Sequence, residues 1–188
     1  MSTLARITIV TAGLALASAG PLAPGARAAA DAKAAIERGR TATATLKDAQ
    51  GAKVGLATLE ETANGVLMIV DFEKLPAGAH AVHVHEKGAC QPPFESAGGH
   101  FNPGHKKHGI LNEHGPHAGD LGNVFVPESG KLKVELRAPK ATLAKDGAAT
   151  LLDGDGAAIV VHAGRDDLRT DPAGNSGDRI ACGVIELE

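Results

Sequence analysis

The stretch Thr41-Ala42-Thr43-Ala44-Thr45-Leu46 alternates polar and apolar side chains with a period of two. Because successive side chains of a β-strand point to opposite faces, this alternation predicts a strand with one buried face. Turn residues follow at Asp48–Gly51, and Val54–Leu59 and Val66–Phe72 are again strand-like. Short strands separated by turn signals are typical of a hairpin or meander.

Five further segments carry strand signals, which brings the total to about eight. They are His80–His85, Asn123–Val126, Lys131–Arg137, Ala157–His162 and Ala181–Leu187. Short strands with few helical stretches predict an all-β fold, a Greek-key β-sandwich or barrel of antiparallel strands. Two long segments, Glu86–Asp120 and Ala163–Arg179, are too rich in Gly, Pro, Asn and charge to be strands. Loops of this length in a compact domain are usually functional.

Length and composition suit one domain. The chain has 188 residues, and 43% of them are hydrophobic, which is enough for an ordinary core. It contains four Phe but no Trp or Tyr, so Val, Ile, Leu and Ala must fill the core. Such small and β-branched side chains pack well between sheets.

The first thirty residues differ from the rest of the chain. Arg6 precedes an apolar run from Ile7 to Ala17, and small residues follow, including Ala26-Arg27-Ala28. This order is typical of a secretory signal peptide, and the run is shorter than the roughly 18 residues that a membrane-spanning helix needs. The expected division is a signal peptide at 1–30, a flexible tail at 31–39 and one domain at 40–188, in a periplasmic or secreted protein.

Charge limits the partners of the exported chain. Removing 1–30 takes away Arg6 and Arg27 and no acid, which leaves 17 basic against 22 acidic side chains and a net charge of −5 with neutral histidines. A nucleic-acid partner would call for a basic block, which the sequence lacks. A nucleic acid is therefore not expected as a partner, and because the apolar run is too short to span a bilayer, neither is a membrane. An anionic substrate would have to be attracted by local positive charge.

Two cysteines are present, Cys90 and Cys182. An exported chain with an even number of cysteines is a candidate for a disulfide, and the alternative is two buried free thiols. Export favours the disulfide. Such a bridge would pin the loop after Cys90 to the last strand.

Histidines are concentrated in one region. Eight of the nine lie between His80 and His117, and the ninth is His162. Because side chains alternate along a strand, His83 and His85 project from the same side and can reach one ion, while Val84 points into the core. For this pair alone, the alternative is the polar face of an exposed strand.

A second group of ligands lies in the first long loop. His100, His108 and His117 recur at intervals of eight and nine residues, and Asp120 follows three residues later. Three imidazoles and one carboxylate complete a tetrahedral zinc site and leave no position for water, as in structural zinc sites. Such a site would order a glycine-rich loop that has few apolar side chains to bury.

His162 ends a strand after two apolar residues, Val160 and Val161. It is an unusual residue there unless it joins His83 and His85. Three imidazoles with a fourth nearby favour Cu(II) over metals that prefer oxygen ligands, such as Mg or Ca.

Six blocks of sequence, in order along the mature chain, resemble the copper,zinc superoxide dismutase family of the bacterial exported type. They are His80–Gly88, Gly98–Pro103, Lys107–Gly109, Pro116–Asn123, Val160–Ala163 and Arg179–Ile185. The resemblance implies dismutation of superoxide to dioxygen and hydrogen peroxide. It implies a copper ion that cycles between Cu(II) and Cu(I), joined through an imidazolate to a structural zinc.

The resemblance also assigns roles to individual residues. Copper would be bound by His83, His85, His100 and His162, and zinc by His100, His108, His117 and Asp120. His100 would be the shared imidazolate, which leaves copper on reduction and takes up a proton. The resemblance further implies a Cys90–Cys182 disulfide, Asp166 as a carboxylate between a copper histidine and a zinc histidine, and Arg179 as the arginine that guides the anion.

Some positions depart from the commonest family pattern. Ala81 and Val82 stand where many relatives have Gly and an aromatic residue, which affects packing more than ligation. His105 and His114 lie in the first long loop, outside the matched blocks, and could compete as zinc ligands. His80 lies on the opposite face from His83 and is expected to be a core or loop-bonding histidine.

Two other functions are compatible with part of the pattern. A zinc hydratase or hydrolase could use His83, His85 and a third histidine, but this leaves the second group of ligands unexplained. A copper carrier or storage protein would need neither a closed zinc site nor Arg179. The sequence leaves the oligomeric state open, a homodimer being possible.

Overall fold

The computed structural model describes residues 39–188. The signal-peptide prediction for 1–30 and the predicted tail up to residue 38 lie outside the described residues. Within 39–188, no helix has the length and apolar character needed to cross a bilayer.

Nine strands and one short 3₁₀ helix, Glu95–Ala97, form the described part of the chain. The strands are β1 (Thr41–Asp48), β2 (Lys53–Thr62), β3 (Gly65–Phe72), β4 (Gly78–His85), β5 (Asp120–Val126), β6 (Leu132–Ala138), β7 (Ala158–His162), β8 (Arg179–Val184) and β9 (Glu186–Leu187). Each predicted strand is present, and most are longer than the sequence pattern indicated.

One antiparallel sheet runs in the order β5-β4-β7-β8-β1-β2-β3-β6, with β9 also paired to β1. The two ends of this order, β5 and β6, contact each other, so the sheet forms a nearly closed barrel. Strands β3 and β6, and strands β4 and β7, pair across long connections, which is the crossing pattern of a Greek key. The predicted all-β Greek-key barrel is confirmed.

The C-terminal strand differs from the prediction. The stretch Ala181–Leu187 was expected to be one strand, but the chain divides into β8 and β9 at Ile185. Ile185 is buried, and its N–H donates to Ala157 O at 2.9 Å. The Ile185 side chain packs in the core. The backbone leaves the ladder with β1 at this residue, so the strand is interrupted.

Loop boundaries differ in two ways. The first long loop ends at Gly119, because β5 already begins at Asp120 and not at Asn123. A third long connection, Pro139–Ala157, was not anticipated. It is attached to β2, since Glu61 accepts hydrogen bonds from the Thr142 hydroxyl and the Leu143 N–H.

The main core lies inside the barrel and is built from aliphatic side chains, Met68 and Phe72. A smaller apolar cluster covers the outer face of β7 and β8, where Phe94 and Ala97 pack on Ala158 and Val160. Strand β7 is therefore buried along its whole length. This explains its unbroken apolar run, because a strand covered on both faces does not alternate.

Backbone hydrogen bonds fasten the first long loop to the end of β4. Val84 N–H donates to Gly119 O at 2.9 Å, and Phe101 N–H donates to Val84 O at 2.8 Å. A side chain at Gly119 would collide with the Val84 carbonyl, so glycine permits this close approach. His100 is thereby placed beside His85 in an isolated bridge.

Candidate metal centre

Two strands and one loop bring four histidines together. His83 and His85 lie on β4, His162 ends β7, and His100 lies on the loop beside them. The pairing of β7 with β8 is irregular between Val161 and His162, a device that re-aims a side chain at a strand end. All four imidazoles are buried, and each offers a ligand atom within 4.8 Å of the others.

Each of these four rings has one buried nitrogen without a hydrogen-bond partner. The atoms are Nδ1 of His83 and Nε2 of His85, His100 and His162, and they are the only such side-chain atoms within residues 39–188. A buried polar atom without a partner is costly and therefore rare. Four of them converging on one point indicate the ligands of a cation, and imidazole nitrogens are donors that suit copper.

The opposite ring nitrogens fix the tautomers. His85 Nδ1–H donates to Gly98 O at 3.0 Å, and His162 Nδ1–H donates to Gly177 O at 3.1 Å. With the proton on Nδ1, the lone pair is on Nε2 and points into the cluster. Both rings are therefore oriented for ligation.

Burial keeps three of these rings neutral. Desolvation lowers the pKa of His85 to about 2, of His162 to about 3 and of His100 to about 4. Charged neighbours, Arg179 among them for His85 and His162, act in the same direction. Neutral imidazole is the form that binds a metal ion, so these three rings are ready to bind one at neutral pH.

A second cluster surrounds the Asp120 carboxylate. Its Oδ1 lies 2.9 Å from His100 Nδ1, 3.1 Å from His108 Nδ1 and 3.2 Å from His117 Nδ1. His117 Nδ1 lies 3.3 Å from His100 Nδ1. A tetrahedral zinc ion with bonds of about 2.0 Å holds its ligand atoms about 3.3 Å apart. The four atoms therefore have the spacing of a zinc site.

His83 also lies within 4.8 Å of His100, His108 and Asp120, which raises the question of the fourth ligand. The geometry of His117 fits that place better. Both nitrogens of His83 are already committed, Nδ1 to the first cluster and Nε2 to Asp166, whereas His117 Nδ1 faces Asp120 and His100 directly.

Charge is balanced within the second cluster. Burial alone would raise the pKa of Asp120, but hydrogen bonds from His100, His108 and His117 hold it well below its usual range. Burial alone would lower the pKa of His108, but Asp120 and Asp166 raise it to about 9. A divalent cation would have to displace the Nδ1 proton of His108, which is how metal binding is normally coupled to proton release.

Asp166 spans the two clusters. Its Oδ2 accepts from His83 Nε2–H at 2.8 Å, and its Oδ1 accepts from His108 Nε2–H at 2.9 Å. Asn123 fixes Asp166 in turn, through hydrogen bonds to its backbone N–H and C=O at 2.8 and 2.9 Å. Asn123 ends one of the six matched blocks, but no role was predicted for it.

Arg179 lies at the start of β8, opposite His162. Its Nη1–H donates to Phe94 O at 2.7 Å and its Nη2–H to Gly98 O at 2.8 Å. Gly98 O is also the acceptor for His85, so one carbonyl orients both a candidate ligand and the arginine. Cys90 and Cys182 form the expected disulfide, which holds this loop against β8.

The remaining histidines lie outside both clusters. His105 and His114 are exposed on the first long loop, and neither belongs to the groups that could hold an ion. His80 is buried, with Nδ1 2.9 Å from His162 O and Nε2 2.9 Å from Pro76 O. As expected, it bonds a loop, and its ring contacts the backbone of His162 without belonging to either group of candidate ligands.

The family profile described as Copper/zinc superoxide dismutase (SODC) matches residues 53–185. The chain belongs to the copper/zinc superoxide dismutase family. A superoxide dismutase [Cu-Zn] of Aquifex aeolicus is 49% identical over 146 residues, which cover 77% of this chain and 85% of that protein.

Solved structures of the superoxide dismutase fold agree with this assignment. A SOD-like protein from Bacillus subtilis is 40% identical with a TM-score of 0.72, over 76% of this chain and 96% of that chain. The Cu/Zn superoxide dismutase from Brucella abortus is 31% identical with a TM-score of 0.64, over 78% and 99%. Copper/zinc superoxide dismutases are oxidoreductases with copper and zinc as cofactors, and the two clusters fit one ion of each.

Proposed function

We propose that this chain dismutates superoxide, with copper held by His83, His85, His100 and His162 and zinc held by His100, His108, His117 and Asp120. The observation that carries the proposal is the position of one ring. His100 Nε2 is one of the four unpartnered nitrogens of the first cluster, while its Nδ1 lies 2.9 Å from Asp120 in the second. One imidazole therefore joins the two sites.

Copper held by these four histidines would supply the one-electron chemistry that both halves of the reaction need. The chain must then deliver protons, because the second product is hydrogen peroxide. His100 suits this task because Asp120, 2.9 Å from Nδ1, would hold the ring from the second cluster while Nε2 takes up a proton. A proton taken up at Nε2 would thus leave the ring in place, ready to pass it on.

Arg179 would bind and guide the anion. Its guanidinium carries five N–H donors, of which two are held by Phe94 O and Gly98 O. Those two contacts orient the side chain and leave donors for a small anion. A local cation is needed because the mature chain would carry a net charge of −5, which by itself repels superoxide.

Metal content and superoxide decay, measured together on the full mature chain, test the proposal. We expect one copper and one zinc per chain after reconstitution, and rapid decay of superoxide only when copper is present. One ion per chain, or no decay with both ions bound, would overturn it. Copper binding without decay would favour the carrier, and zinc alone in the first cluster would favour the hydratase.

Arg179→Ala should slow the reaction without loss of copper. Electrostatic steering raises association rates by about 10-fold or more and weakens with salt, so we expect a rate lower by about that factor and a flatter dependence on ionic strength. Arg137→Ala, an exposed change on β6, is the matched control. Unchanged rate and salt dependence in Arg179→Ala would contradict this role.

Acid should destabilise the metal-free protein. Since the folded-state pKa values of His85, His100 and His162 lie below 6.5, their stabilising contribution is complete above pH 6.5 and decreases as pH falls towards 4. We expect the free energy of unfolding in urea to drop between pH 7 and pH 4.5. The raised pKa of His108 has the opposite effect on the free energy of unfolding, but only above pH 6.5. Equal stability at the two pH values would contradict the prediction.

Export is part of the proposal. The Cys90–Cys182 disulfide is typical of oxidising compartments, and bacterial superoxide dismutases are among the relatives. We propose cleavage near residue 30 and a periplasmic or secreted mature protein. Cell fractionation with N-terminal sequencing tests this, and sedimentation of the mature protein tests for the possible homodimer.

A further inference from the structure

The two long loops contact each other along a seam that contains His108, a candidate zinc ligand. Residues 107–112 of the first loop lie against residues 166–171 of the second. Leu111 N–H donates to Leu168 O at 3.0 Å, and the Asn112 side-chain amide donates to Arg169 O at 3.3 Å. The first loop thus takes part of its shape from the second.

Gly109 lets the two backbones approach closely. It has a positive φ of 93°, and a side chain there would collide with the backbone carbonyl of Leu168. Only glycine combines that conformation with that contact. The seam therefore has a defined geometry next to His108.

Asp171, on the second loop, makes two contacts with the first loop. Its Oδ1 accepts from the backbone N–H of His108 at 2.7 Å, and its Oδ2 accepts from Lys107 Nζ at 2.7 Å. The Lys107 side chain is 61% exposed and that of Asp171 is 37% exposed, so their ion pair contributes little. A hydrogen bond from a backbone amide to a carboxylate is charge-assisted and is the stronger contact.

Three carboxylates then fix His108 from three directions. Asp171 holds its backbone amide, Asp166 holds Nε2 at 2.9 Å, and Asp120 faces Nδ1 at 3.1 Å. A ring held at its backbone and at Nε2 keeps a set direction for Nδ1. Groups that orient a metal ligand in this way set the metal affinity.

We propose that Asp171 is a positioning residue for the zinc site. It holds the His108 amide and so makes the zinc affinity depend on the second loop. This inference rests on the proposed function, because it takes His108 as a zinc ligand. The second loop also carries Asp166 and leads into Arg179. The position of Asp171 is therefore coupled through the second loop to those of Asp166 and Arg179.

Zinc transfer from the mature copper- and zinc-loaded protein to a chromogenic chelator at pH 7 tests the proposal. Removing groups that orient a metal ligand costs about 10- to 100-fold in affinity, so Asp171→Ala should lower zinc affinity by at least about tenfold. Asp171→Asn keeps an oxygen that can accept from the His108 amide and should stay within about threefold of the wild type. Equal losses in the two variants would overturn the role of the amide contact.

Two control variants separate the contact from general loosening. Lys107→Met removes only the exposed ion pair and should change zinc affinity by less than about threefold. Asp167→Ala removes an acceptor that bonds the Arg169 and Thr170 N–H groups within the second loop, and should also have a small effect. A loss in either control as large as that in Asp171→Ala would overturn the proposal.

Amide hydrogen exchange on the zinc-bound proteins gives a second readout. The His108 amide should exchange faster in Asp171→Ala than in the wild type, while β2 and β3 keep their protection. Unchanged exchange at His108 would contradict the proposal. Failure of the wild type to bind zinc would contradict the proposed function itself, which keeps the two failures distinguishable.

Discussion

Replacing His100 with alanine is expected to lower the rate of superoxide decay by more than about 100-fold, which exceeds the loss usual for a residue that only orients a ligand. The variant should also bind both copper and zinc more weakly. The reason is that His100 presents Nε2 to the first cluster and Nδ1 to the second, so one substitution removes a ligand from each site. Metal content per chain and superoxide decay measure the two effects.

Two further variants serve as comparisons for His100→Ala. His117→Ala should lose zinc and retain copper, because His117 approaches only the Asp120 cluster. His105→Ala alters an exposed histidine of the same loop and should leave the metal content and the rate unchanged. A His100→Ala protein that kept both ions and full activity would rule out the shared ring.

Replacing both cysteines with serine should cost about 4 to 5 kcal/mol of folding free energy, as expected for a disulfide that closes a long loop. Cys90 and Cys182 are 92 residues apart, so the bridge restricts a large part of the unfolded chain. Urea unfolding of the metal-free protein measures the loss. The activity should fall as well, because the carbonyls that hold Arg179 belong to the loop that the bridge fastens.

Reduction provides the control for this prediction. A strong reductant should destabilise the wild type by a similar amount and leave the double serine variant unchanged. Equal stability of oxidised wild type and double variant would show that the small apolar cluster around Phe94 holds the loop without the bridge.

Local patterns in the sequence predicted the strands well because period-two alternation depends only on nearest neighbours. His83 and His85 could be placed on one side of β4 for the same reason. The pattern failed at Ala181–Leu187, where the inward turn of Ile185 depends on a hydrogen bond to Ala157, a residue far away in the chain. The connection Pro139–Ala157 carried no pattern that would show how it attaches to Glu61.

The metal centre was accessible from the sequence only in part. Spacing suggested His100, His108, His117 and Asp120 as one set, but the second role of His100, as a copper ligand as well, came from family resemblance. It depends on hydrogen bonds that carry a loop back to the end of β4. Asn123 and Asp171 were missed because each acts through a backbone group of a residue distant in sequence.

The carboxylate of Asp166 is shared between a proposed copper ligand and a proposed zinc ligand, since it bonds His83 at one oxygen and His108 at the other. Any energetic influence that it passes from one ion to the other must be reciprocal. If filling the zinc position tightens copper by some factor, filling the copper position must tighten zinc by the same factor. The order in which the two metals are loaded can then change how fast the holoenzyme forms, but not the final affinity of the pair.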